Sequence, residues 1–180
     1  MYSHLWDITL DFVRNTGIAV DRGILVDDRM RTTAQDVFAA GDVANAADIL
    51  NGGTALFTLW PDAAVQGRVA ASNAMGREKR YIGGMSMNSV VFYGVPFVFL
   101  GAVRERDLAG CEVYSRSNFP RSYRKVVIRD NHLVGAVLAG NIDHTGMLYW
   151  DIRTGGLVKD PEAYLTPEGL AGLFIARRSP

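Results

Sequence analysis

One cysteine, Cys111, in 180 residues rules out an internal disulfide, a CxxC redox pair and a thiolate metal cage. A basic run is missing as well. The 19 Lys and Arg side chains balance 19 Asp and Glu, Arg177 and Arg178 are too few to attract an anionic partner, and a nucleic-acid partner is therefore not expected. Long hydrophobic runs are absent: the most apolar stretch, residues 89–103, is broken by Gly94 and Pro96. It is shorter than the roughly 20 residues a membrane-spanning helix needs, and it reads as buried strand. The N-terminus carries Asp7 and Asp11 where a signal peptide would have a basic start, so no membrane and a cytoplasmic location are expected. His4, His132 and His144 are too dispersed for a metal motif. No GxGxxG fingerprint for a dinucleotide occurs. What remains is a chain with 48% apolar residues, enough to fill the cores of one or two small domains.

Residues 9–20 form a short amphipathic pattern ending near Gly17, which predicts a helix followed by extended chain from Ile18 to Val26. Val37 to Ala40 is a compact apolar run stopped by Gly41 and Asp42, as expected of a buried central strand. A loop follows, marked by Asn51, Gly52 and Gly53. Pro61 suits a first helical position, and an Ala-rich segment runs from there to Met75 with Gly76 as its stop. Its small residues Ala63, Ala64, Gly67, Ala70 and Ala71 share one helical face, which predicts close packing under a sheet or a flat ring.

Past residue 78 the pattern changes to strands at 90–93, 95–100, 111–117, 123–129 and 132–139, the last two joined by a tight turn at Asp130 and Asn131. Strands that follow one another without helices between them favour an antiparallel sheet. Short helices are predicted at 147–153, begun by Asp143 or Thr145, and from Thr166 and Glu168 onward. Cys111 reads as a small buried residue in its strand, and Phe92, Tyr93, Phe97 and Phe99 as core or subunit interface.

The segment from Thr32 to Asp42 carries the chemistry. Glycine at the end of a strand lets a ligand approach the backbone, and the next residue offers a carboxylate at the strand's carboxyl end. Ionised Asp42 only accepts hydrogen bonds, so a polyol is a natural partner. The following helix would turn its free N–H groups toward the same crevice.

Threonine, four residues, an aliphatic, an aromatic, two small apolar residues and Gly-Asp form a pattern that resembles the second flavin-binding motif of the pyridine nucleotide-disulfide oxidoreductase family. Residues 10–18, 22–27 and 66–71 are similar to the flanking stretches in its NADH oxidases and its rubredoxin or nitrite reductase flavoproteins. The resemblance implies that Asp42 holds the ribitol of FAD, with Gly41 allowing close approach. It also implies that the helix start, at Trp60, Pro61, Asp62, Ala63 and Ala64, faces the flavin N1 and C2 carbonyl. Asp62 is an imperfection there, because its charge opposes an anionic ring unless it points away.

Complete members of that family carry two glycine-rich fingerprints and an upstream redox cysteine, so the resemblance implies the C-terminal part of a longer enzyme. The expected fold is an α/β remnant of a flavin-binding Rossmann-like domain, residues 1–78, followed by an α+β domain with an antiparallel sheet, residues 79–180. The chain would hold part of an FAD site, and NAD(P)H would bind the missing N-terminal region, its expected partner. A homodimer is also implied, while no residue is assigned a catalytic or metal role and the fragment is expected to be inactive alone. The competing reading is a non-catalytic self-association module built on residues 90–100.

Overall fold

A computed structural model describes residues 8–118 and 121–176; His4, Asp7, Arg177 and Arg178, which entered the reading above, lie outside them. The chain divides into two units, Met1–Met85 and Ser86–Pro180.

The first unit is built on three short strands, β1 (Ile24–Leu25), β2 (Ala44–Ala47) and β3 (Thr54–Leu56), in the order β1-β2-β3. The sheet is mixed: β1 runs parallel to β2, and β2 antiparallel to β3. Helix α1 (Trp60–Ala74) follows, with Pro61 in its first turn, and ends at Met75 before Gly76, which takes a left-handed φ of 74°. One face of α1 closes a core of Met30, Ala46, Val69 and Tyr81. A neighbouring cluster of Val13, Ile24 and Ala39 is packed by Leu10, Ile18, Val26 and Val43.

Several expectations for this unit need correction. The helix at 9–20 shrinks to one 3-10 turn, Asp11–Val13, because Asn15 and Gly17 both take positive φ and end it. Of the extended chain at 18–26, only Ile24 and Leu25 pair as strand. Residues 37–40 are not a buried central strand. Val37 is 40% exposed, and the stretch makes a single bridge, Phe38 to Arg31. The Ala39 N–H donates to the Met30 carbonyl at 3.1 Å, but no strand among the described residues runs alongside to extend a ladder. The sheet lies just beyond instead, in alanine-rich β2, which reads as loop because alanine has little β preference. On α1 the buried residues are Gln66, Val69 and Asn73, whereas the small-residue face is left half-exposed or open, with free space over Gly67.

The second unit is a five-stranded antiparallel sheet in the order β4-β5-β8-β7-β6. Its strands are β4 (Met87–Phe92), β5 (Val95–Gly101), β6 (Glu112–Asn118), β7 (Ser122–Arg129) and β8 (His132–Gly140). Central β8 is buried from Leu133 to Ala139, as its unbroken apolar run demands. The β7–β8 turn is closed by Asp130 and Asn131 at φ 51° and 61°, the geometry of a two-residue hairpin loop. Helices α2 (Thr145–Thr154) and α3 (Pro167–Ala176) follow. His144, with φ 64°, rather than Asp143 or Thr145, precedes α2, while Thr166 Oγ1 accepts from the Gly169 N–H at 3.1 Å at the start of α3. Tyr164 donates to Asp151 at 2.6 Å, satisfying that buried carboxylate.

Residues 89–103 are a hairpin rather than one buried strand. Edge strand β4 is exposed, with Val91 at 68% and Tyr93 at the hairpin tip at 92%. Phe92 meets Tyr93 edge-on, and Phe97 stacks on Phe99. Cys111 is half-buried in the turn before β6 and not within the strand. No helix among the described residues is long and apolar enough to cross a membrane.

Candidate functional site

The 32–42 segment is held by its own side chains. The Thr32 N–H and hydroxyl both donate to the Val37 carbonyl, at 2.9 and 3.1 Å, closing a loop in which Asp36 takes φ 59°. Thr33 reaches the other way: its hydroxyl donates to Gly17 O at 3.1 Å and accepts from the Ala19 N–H at 2.8 Å. The two threonines thus close the loop before Gly41 and tie it to residues 17–19.

Gly41 has φ +83°, a left-handed conformation that costs a residue with a Cβ about 1–3 kcal/mol. A Cβ there would lie 3.6 Å from the Ala63 Cβ in the first turn of α1. The backbone before Asp42 is therefore placed against the start of the helix. Gly41 is also bonded to it, because its N–H donates to Gln66 Oε1 at 2.8 Å. Asp42 is exposed and takes part in no hydrogen bond or ion pair among the described residues. Its carboxylate is available to a ligand.

The helix start is open too. Leu59, the residue before α1, supplies no side-chain cap, Pro61 has no N–H, and the Ala63 N–H donates to the Leu59 carbonyl at 3.0 Å, so among the described residues the Trp60 N–H is left for water or a ligand. Trp60 is 82% exposed and Pro61 exposed, while Ala63 and Ala64 are half-buried. Asp62 Oδ1 accepts from the buried Tyr81 hydroxyl at 2.9 Å, which ties the carboxylate to a residue packed against Val69 of α1. The six residues expected to hold a cofactor thus fall into two groups, Gly41 and Asp42 on the turn and Trp60, Pro61, Ala63 and Ala64 on the helix.

Sequence reasoning missed Gln66 and Tyr81. Gln66 is completely buried and Tyr81 is 2% exposed. A glutamine four residues after an acidic first-turn residue shares its helical face, and that was the available signal. No comparable signal marks Tyr81, which lies outside any predicted element.

Comparison with known proteins matches residues 7–67 to the family model described as pyridine nucleotide-disulphide oxidoreductase. Among curated proteins, the NADH-dependent phenylglyoxylate dehydrogenase subunit epsilon of Aromatoleum evansii is 37% identical over 95 residues, covering 52% of this chain and 22% of that protein. The NADH-rubredoxin oxidoreductase of Clostridium acetobutylicum is 29% identical over 133 residues, covering 74% of this chain and 33% of the relative. The chain therefore spans a third or less of these relatives' length. Among solved structures, an FAD-dependent pyridine nucleotide-disulphide oxidoreductase from Desulfovibrio vulgaris superposes with a TM-score of 0.74 at 20% identity. That match covers 93% of this chain and 46% of the other, a likeness of fold.

Proposed function

Since residues 7–67 make this chain a member of the pyridine nucleotide-disulphide oxidoreductase family, we propose that it forms the C-terminal part of an FAD-dependent NAD(P)H oxidoreductase and holds the ribitol and isoalloxazine side of FAD. The first unit is then a remnant of a Rossmann-like flavin domain. One observation carries the reading: Gly41 packs against the first turn of α1 with the unpaired Asp42 carboxylate beside it. A polyol donor suits that carboxylate, a positive-φ glycine leaves the backbone bare, and an uncapped helix start suits a carbonyl or a developing anion. The donor set fits the cofactor.

Bound FAD would supply the hydride-accepting ring. The chain's own residues do the holding. Asp42 accepts a hydrogen bond from a ribitol hydroxyl, and the first-turn N–H groups of α1 present aligned dipoles to the ring's pyrimidine edge. Such dipoles favour negative charge by about 0.3–2 kcal/mol. Trp60 supplies an apolar neighbour. The region carrying the glycine-rich fingerprints would bind NAD(P)H and the remainder of FAD as this chain's partner, and without it the chain holds its side of FAD weakly.

The test is FAD binding to the full chain, followed by quenching of flavin fluorescence. Asp42→Ala should weaken binding about tenfold, the scale of one hydrogen bond to a charged group, with the circular dichroism spectrum unchanged. Equal affinity in wild type and variant would remove the assignment.

A second reading, self-association, is favoured by one specific feature. Strand β4 is the unpaired edge of its sheet and exposes Val90, Val91 and Phe92, a surface that invites another strand. Sedimentation of the full chain should show a dimer that Val91→Lys converts to monomer. A monomer at high concentration in the wild type would dismiss it.

A further inference from the structure

The buried side of α1 contains a hydrogen-bonded chain running from the Gly41 turn to the helix start. The Gly41 N–H donates to Gln66 Oε1 at 2.8 Å, Gln66 Nε2 donates to the Tyr81 hydroxyl at a long 3.4 Å, and that hydroxyl donates to Asp62 Oδ1 at 2.9 Å. Gln66 and Tyr81 are buried, while Asp62 is half-buried. Polar groups removed from water remain only where they are satisfied, and a satisfied network fixes a unique arrangement.

We propose that Tyr81 and Gln66 are positioning residues: Tyr81 clamps the Asp62 carboxylate onto the side of α1, away from the helix end, while Gln66 ties the Gly41–Asp42 turn to the same helix. This rests on the flavin reading above. An acidic residue in the first turn ordinarily settles over the free N–H groups, since negative charge is stabilised there. Here that location must receive a ring that becomes more electron-rich on reduction. Charge left over the helix end would disfavour the reduced ring, so the clamp raises the flavin's affinity for electrons. Neither residue touches the cofactor in this scheme, because both act through Asp62 and Gly41.

The test has two arms on the full chain. Without flavin, amide exchange followed by NMR should show Gly41 protected, and Gln66→Leu should speed its exchange about tenfold with global stability corrected for. An unprotected Gly41 overturns the network whatever the cofactor does. With FAD bound, Tyr81→Phe should weaken binding of reduced relative to oxidised flavin about tenfold, lowering the two-electron midpoint potential by about 30 mV. Adding Asp62→Asn to Tyr81→Phe should restore the potential. A purely structural role would weaken both redox forms equally and would not be rescued by removing the charge; either outcome overturns the clamp. Failure of the wild-type chain to bind FAD, with Gly41 protected, would instead remove the flavin reading and the clamp's purpose with it, leaving the hydrogen-bonded network standing.

Discussion

Arg124 shows what a single residue can cost. It lies on β7 at 3% exposure, and its Nη2 donates to the Asp143 carbonyl at 2.6 Å. Among the described residues Nε and Nη1 have no partner. Burial holds the guanidinium below its ordinary value, against the opposing pull of Asp143 and Glu168. Because the folded value is the lower one, the unfolded chain binds this proton more tightly. The charge therefore opposes folding at neutral pH, and stability rises as pH climbs through the alkaline window between the two values. Arg124→Met keeps an unbranched apolar stem and removes the unsatisfied charge, so its urea midpoint should equal or exceed that of wild type. Arg124→Ala, which also opens a cavity, should fall below it. A midpoint for Arg124→Met well under wild type would show that the guanidinium contributes more than its visible bonds. Residue types in order along the chain point to Asp42 through its place after a glycine that ends an apolar run, and the family resemblance adds Trp60. They could not point to Arg124 or Tyr81, because burial of a polar side chain depends on partners distant in sequence.

Among the elements, α1 combines a legible span with an illegible orientation. Its proline start and glycine stop mark the ends, but hydrophobic spacing does not find the stripe that it buries. The buried stripe runs through Gln66, Val69 and Asn73, and Asn73 is retained by donating to the Lys79 and Arg29 carbonyls at 2.7 and 3.0 Å. Polar residues buried by such bonds defeat a reading based on hydrophobic spacing alone. Gly67 is helical with open space where a Cβ would go. Gly67→Ala should therefore stabilise the chain by roughly 0.5–1 kcal/mol, seen as a higher Tm in the absence of flavin. A lower Tm would mean that something covers this face. The strands divide in the same way. Strand β8 is legible because seven consecutive residues, Leu133 to Ala139, are buried within it. Residues 37–40 look alike in sequence, yet among the described residues they pair through a single bridge, Phe38 to Arg31. Composition reports a liking for extended, buried backbone, and neighbours decide whether a ladder forms.

On the scale of the whole molecule the two units differ in how much regular structure they own. The second has five strands of six to nine residues with α2 and α3, and the first has strands of two, four and three residues with one long helix. Local opening costs least where few hydrogen bonds and apolar contacts must break together. In native-state hydrogen exchange, amides of β7 and β8 should thus be the slowest and those of the first unit distinctly faster. Flavin binding makes the contrast a test of where the ligand sits. A ligand at a hundred times its Kd stabilises the species that binds it by about 2.7 kcal/mol. Amides in Gly41–Val69 that exchange through opening of the first unit should then slow about a hundredfold with FAD, while those of β7 and β8 stay unchanged. Slowing confined to the second unit would move the cofactor away from Asp42, because exchange protection follows the unit whose opening releases the ligand.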